Sequence, residues 1–172
     1  MLIDDQREFE DAFERLVWPE TTWAKGGCTF EHGDVTQDRK LATDYVVRHS
    51  DLRTTTLAAR VQEVTEPYRT FTIRVLRLYA PAQAVEFQKM CAGTHAAYHV
   101  HAYIRCGRLL AAAAARSRDL AEVIRAGTFK CPVRVNRNEA GRPVVFVAVG
   151  WDEVPLIWHY EVEPVITSLA AA

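Results

Sequence analysis

The segment 82–126 decides how the fold is read. It opens Ala82-Gln83-Ala84-Val85-Glu86-Phe87, passes through Ala111-Ala112-Ala113-Ala114-Ala115 and closes Asp119-Leu120-Ala121-Glu122-Val123-Ile124-Arg125-Ala126. Residues of high helix propensity dominate it. At about 100° per residue, Phe87, Cys91, His95, Tyr98, Ala102, Cys106, Leu109, Ala113, Leu120 and Ile124 fall on one side and form a single stripe. The spacing predicts one long central helix, open to a break at Gly93-Thr94, where Thr94 would cap the second half. Gly127 is a suitable stop.

Working outward, Asp4 to Val17 has the pattern of a short amphipathic helix, with Phe9, Ala12, Phe13, Leu16 and Val17 on its apolar face. Asp4 or Asp5 would cap it, and Trp18-Pro19 would end it. Thr36 to His49 reads as a second short helix, capped by Asp34 or Thr36 and carrying Leu41, Tyr45 and Val46 on an apolar edge. From Arg53 the period changes to two. Thr55, Leu57, Ala59 and Val61 alternate with polar residues, and after Glu66-Pro67 so do Phe71, Ile73, Val75 and Tyr79; together they predict an antiparallel hairpin. Beyond the central segment, Cys131 to Asn136, the apolar run Val144 to Val149 and the alternating Leu156 to Glu163 predict three more strands. The expected fold is a single α+β domain over residues 1–172. A mostly antiparallel sheet of about five strands would pack on the central helix, with two short N-terminal helices beside it.

Composition narrows the class of protein. In 172 residues, 49% are hydrophobic and 25% charged, which is globular rather than disordered. No apolar run is long enough to span a bilayer, and the start Met1-Leu2-Ile3-Asp4-Asp5 is acidic where a secretory signal is basic, so the expectation is a cytoplasmic protein with no membrane partner. Cys28, Cys91, Cys106 and Cys131 contain no Cys-x-x-Cys pair, which removes zinc-ribbon and dithiol redox motifs. Reduced thiols are expected, with Cys91 and Cys106 buried on the helix stripe. Charge is uneven: residues 69–142 hold 13 Lys or Arg against 4 Asp or Glu, in a chain whose formal net charge is −1.

Few residues group in a chemically suggestive way. Cys91, His95 and His99 lie four apart, the spacing at which a helix presents metal ligands on one side, with His101 close by. No Glu stands between His95 and His99, so the general base of a zinc protease is missing. Cys28 and His32 resemble half of a metal site with no visible other half, and a metal on Cys91, His95 and His99 would draw a further ligand from Cys28, His32 or His159. Gly26-Gly27 follows Lys25 rather than preceding it, so it is a turn and not a phosphate loop. No cofactor motif and no nucleophile elbow are present, and the residues leave open whether the chain is an enzyme.

Three functional expectations follow. The first is a non-enzymatic binding or assembly protein that acts through a protein–protein surface as a homo-oligomer, in the simplest case a homodimer. Its basis is the aromatic content and a terminal strand with a free edge. The second is an enzyme or small-ligand binder with a pocket between sheet and central helix, lined by His95, His99, Tyr98 and Trp158. The third is anion or nucleic-acid binding by the Arg-rich middle, through Arg69, Arg74 and Arg77 on one hairpin and Arg134, Arg137 and Arg142 on another.

Overall fold

A computed structural model describes residues 8–34, 43–80, 82–137 and 141–162. The chain runs through helix α1 (8–20), helix α2 (Thr22–Lys25) and strands β1 (Thr29–His32), β2 (Tyr45–Arg48), β3 (Thr54–Glu63) and β4 (Thr70–Arg77). There follow helix α3 (Glu86–Cys91), strands β5 (Tyr98–Arg105) and β6 (Arg108–Arg116) and helix α4 (Ser117–Ala126). Strands β7 (Arg134–Arg137), β8 (Pro143–Gly150) and β9 (Leu156–Glu161) complete it. The class is α+β and rich in antiparallel pairs. Among the described residues, no helix is long and apolar enough to cross a membrane.

The long central helix expected over 82–126 does not form. The segment splits into α3, the β5–β6 hairpin and α4. The two-residue turn Cys106-Gly107 closes the hairpin with φ of 48° and 70°, the paired positive values that match the twist of two antiparallel strands. Alanine's helix propensity loses because Ala111 to Ala115 are all 0% exposed, with both strand faces covered. A helix would bury one stripe, whereas a strand in the middle of the molecule buries every residue, and strand preference follows that burial. Cys91 and Cys106, expected inside, are exposed: one ends α3 and the other sits in the turn.

Three further expectations are corrected. The second N-terminal helix does not hold for Tyr45–Arg48, which is β2, hydrogen-bonded between β1 and β3; the positions 35–42, with Thr36, Asp38, Arg39 and Leu41, lie outside the described residues, as do Asp4, Asp5 and the tail. Residues 54–63 and 70–77 are strands, but they are not partners. β3 pairs with β2 and runs parallel to β5, while β4 pairs with β8. Trp18-Pro19 does not end α1 either; the helix passes from a π-turn over Phe13–Val17 into a 3-10 turn over Trp18–Glu20 that accepts the proline early.

The result is a six-stranded sheet in the order β1-β2-β3-β5-β6-β9 and a three-stranded sheet in the order β4-β8-β7. The large sheet is the middle layer. On one face Leu57, Val61, Val100, Ala102, Ala112, Ala114 and Trp158 pack against Ala12, Phe13 and Val17 of α1, with Trp23 of α2. On the other, Tyr103, Ala111, Ala113 and Ala115 meet Phe71, Ile73, Val147 and Val149 of the small sheet and Leu120, Ala121 and Ile124 of α4. Small side chains on β6 let both covering layers approach its backbone closely.

This packing makes a stability prediction. Ala113→Leu forces extra carbons between β6 and the small sheet and is expected to lower the unfolding free energy by about 1–3 kcal/mol. Urea denaturation would measure it, and an unchanged midpoint would contradict the close-packed sheet interface.

Candidate anion site

Where β3, β4 and α3 meet, a cavity of about 450 Å³ opens between the two sheets. Arg60 reaches it from β3, Arg74 and Arg77 from β4, Glu86 and Lys89 from α3, and His95 and His99 from the start of β5, with Asp44 near the entry to β2. Four cationic side chains therefore face two carboxylates. Both carboxylates are engaged by protein groups. Asp44 Oδ2 accepts from the Ala59 N–H at 2.6 Å. Glu86 Oε2 accepts from the Arg74 N–H at 2.9 Å, and Glu86 Oε1 accepts from Arg60 at 3.2 Å.

Arg60 also donates to the Thr72 carbonyl at 2.9 Å, so Arg60 and Glu86 satisfy one carbonyl and one N–H on the edge of β4 that has no strand neighbour, and Tyr103 bonds Thr70 there. Burial works against ionisation of Glu86, but the Arg60 guanidinium and the Arg74 N–H outweigh it and hold the carboxyl below its usual range. Arg74 lies over the Phe146 ring, 5.6 Å from its centroid, and Arg77 donates to Gln83 Oε1 at 2.8 Å. These two partners carry no charge, although the Arg74 charge also acts on the Glu86 carboxylate.

β5 and the segment leading into it supply a line of rings along one face. His95 stacks on His99 at 5.9 Å between centroids, His99 meets His101 at 6.5 Å, and His101 stacks on Tyr103 at 5.1 Å. His101 Nε2–H donates to Gln62 Oε1 at 3.1 Å, and Tyr103 donates to the Thr70 carbonyl at 2.9 Å. The His95 Nδ1 lies 3.2 Å from the Ala96 carbonyl, which can only accept, so Nδ1 carries the hydrogen and Nε2 presents a lone pair. His99 differs from these: it is 3% exposed, and neither ring nitrogen has a hydrogen-bond partner. Burial lowers its pKa to about 3, an effect that Glu86 only partly offsets. Burial also pushes His101 well below the ordinary imidazole value, and lowers His95. These rings are neutral at physiological pH.

The structure redistributes the residues singled out in the sequence. His95 and His99 line the same cavity; Tyr98 shares a separate cavity with His95, also lined by Thr56, Met90, Arg116 and Ser117, while its ring packs 5.5 Å from the Trp23 ring and Trp158 belongs to that core on the opposite face of the large sheet. Cys91, His95 and His99 no longer share a helix, because α3 ends at Cys91 and His99 is a strand residue. Among the described residues, no group of three His, Cys, Asp or Glu is placed to hold a metal ion. His32 bonds to Glu14 at 2.8 Å, and Cys28 approaches His49 instead of His32. Of the arginines, Arg74 and Arg77 enter the cavity, Arg69 pairs with Glu161, and Arg142 lies over Tyr79 at 5.1 Å. Arg134 and Arg137 are on β7, away from the cavity lining.

Arg60, Glu86 and Lys89 are the lining residues that sequence reasoning passed over. Arg60 occupies the position on β3 that alternation assigns to water; because the large sheet is covered on both sides, that face looks into protein. No family model matches the chain, and no curated protein or solved structure matches it either.

The depressed histidines predict an acid-labile fold. Unfolded histidines take up protons near pH 6.5, while buried His99 does so only near 3, so stability is complete above about pH 6.5 and falls as pH drops toward 3. For His99 the loss between pH 7 and 5 should be about 2 kcal/mol. Urea denaturation at the two pH values should show it, and His99→Gln should reduce the pH slope by about one proton. A slope that His99→Gln leaves unchanged would remove His99 as its source.

Proposed function

We propose that this protein binds a small, multiply charged anion, phosphorylated or polycarboxylated, in the cavity between β3, β4 and α3. The observation that carries the reading is the buried His99 ring, without a hydrogen-bond partner, on the wall of a cavity that Arg60, Arg74, Arg77 and Lys89 also line. Grouping like charges costs free energy that an anion offsets, and arginine forks suit phosphate and carboxylate oxygens. Neutral His99 offers one donor and one acceptor, and the His95 Nε2 lone pair offers a second acceptor for a ligand hydroxyl. Among the described residues, no hydroxyl or thiol side chain lines this cavity, which favours binding over nucleophilic catalysis.

Isothermal titration with pyrophosphate and with citrate tests the reading. Saturable binding that weakens with added salt is expected, and Arg74→Gln with Arg77→Gln should reduce affinity by roughly tenfold or more. Absence of heat with both anions at millimolar concentration, or equal affinity in the double variant, would refute it.

A second reading, self-association, rests on β7. All four of its residues are exposed at the edge of the small sheet, and Val133 and Val135 beside and within it are 55% and 62% exposed. An open edge that exposes Val133 and Val135 favours pairing with the same edge of a second copy. Light scattering behind size-exclusion should then report a dimer, and Val135→Lys should shift it to monomer; a monomer at high concentration without the substitution would eliminate this reading.

A further inference from the structure

At the far end of β3, outside the anion cavity, three side chains from neighbouring strands form a nucleophile, a base and an orienting group. Cys28 directly precedes β1, His49 directly follows β2, and Thr55 is the second residue of β3. Cys28 Sγ lies 3.5 Å from His49 Nδ1, and His49 Nε2 lies 2.8 Å from Thr55 Oγ1. We propose that Cys28 is a reactive thiol, deprotonated by His49 as it attacks and oxidised by hydroperoxides to a sulfenic acid.

The arrangement follows from the sheet. In the β1–β2 ladder Thr29 faces Arg48, and in the β2–β3 ladder Val47 faces Thr55. Continuing the first ladder by one residue sets Cys28 opposite His49. The backbone pins both. The Cys28 N–H donates to the Trp23 carbonyl at 3.0 Å, and the His49 N–H donates to the Arg53 carbonyl at 2.9 Å. When Nδ1 takes the thiol proton, Nε2 carries the ring's other hydrogen and donates it to the Thr55 hydroxyl, which fixes both tautomer and ring orientation. A nucleophile within reach of a base that a third group orients is the pattern of an activated thiol.

The surroundings select the chemistry. Gly26, Gly27 and Cys28 all spend their N–H groups on carbonyls of residues 22–24, so this turn offers no pair of N–H donors to hold an oxyanion, and acyl transfer lacks its stabilising partner. Attack on a peroxide needs none. The thiol proton moves to His49 Nδ1, and the sulfur electron pair forms an S–O bond to the nearer peroxide oxygen. The O–O bond breaks, and the departing oxygen takes the proton from His49 to leave as water or an alcohol. Sulfur loses two electrons and the hydroperoxide gains them. Among the described residues, Cys28 is the cysteine hydrogen-bonded to a histidine; Cys91 and Cys106 are exposed and serve as internal comparators.

The test exposes the folded full chain to hydrogen peroxide with dimedone present and follows sulfenic acid at each cysteine by peptide mass spectrometry. Although it is less exposed, Cys28 is expected to react at least roughly tenfold faster than Cys91 and Cys106, and His49→Gln is expected to remove that advantage. Comparable or faster labelling of Cys91 and Cys106 in the unsubstituted protein would overturn the proposal without needing any variant. An undiminished Cys28 rate in a folded His49→Gln protein would overturn it as well.

Discussion

Arg60 and Glu86 do for β4 what a neighbouring strand would otherwise do. A strand edge buried beside another sheet must find partners for its N–H and C=O groups, because leaving them unpaired away from water is costly. Here Arg60, from the large sheet, donates to the Thr72 carbonyl, while Glu86, from α3, accepts the Arg74 N–H. The two side chains also pair with each other, at 25% and 17% exposure. One charged bridge thus satisfies the middle of that edge, next to Thr70, which Tyr103 bonds, and it ties the small sheet to the large one and to α3. It also explains how β3 and β4, consecutive in the chain, can enter different sheets without stranding β4's free edge.

The cavity is a by-product of that bridge. Where the two sheets are in direct contact, the alanines of β6 let them close on Phe71, Ile73, Val147 and Val149. Toward β3 the guanidinium–carboxylate bridge stands between them instead, and the small residues Ala58 and Ala84 leave the space around it unfilled. The same lack of bulk that allows close packing over β6 leaves room over β3, and charge fills the difference. His99 sits at the boundary between the two regimes. Its ring touches Phe71 on one side, at 6.0 Å between centroids, and the charged cavity on the other.

Alternation on strands whose flanking turns are polar was legible: residues 54–63, 70–77 and 156–161 are strands close to where period-two patterning put them, and 143–150 is a strand where the continuous apolar run Val144 to Val149 put one. The alanine segment was not. Along β5 the residues Val100, Ala102 and Ile104 alternate with His99, His101 and Tyr103, but both sets are buried, so no polar face marks the period. Helix propensity then filled the gap, although Arg105-Cys106-Gly107-Arg108 carried the signature of a tight hairpin. Pairing was equally hidden, since β3 reaches β5 by a parallel crossover that no local residue announces. His95 and His99 could be named from their spacing, but their true neighbours could not. Arg60, Arg74 and Arg77 converge because strands of two different sheets meet, and that relation exists only once the sheets are built.

β3 carries the organising residue of each of the two sites, and its pleat keeps them apart. Arg60 points to the face covered by the small sheet, in step with Ala58, whereas Thr55 is in step with Leu57, Ala59 and Val61, of which Leu57 and Val61 pack toward α1. Five residues of extended chain separate Thr55 from Arg60, roughly 17 Å along the strand. No side chain belongs to both clusters. Loss of the thiol chemistry would leave the Arg60–Glu86 bridge and its cavity standing, and an empty cavity would leave Cys28 and His49 as they are. The strand couples the sites only through folding: an alteration that releases β3 from β2 or β5 must disturb both, while one confined to either face should reach only its own.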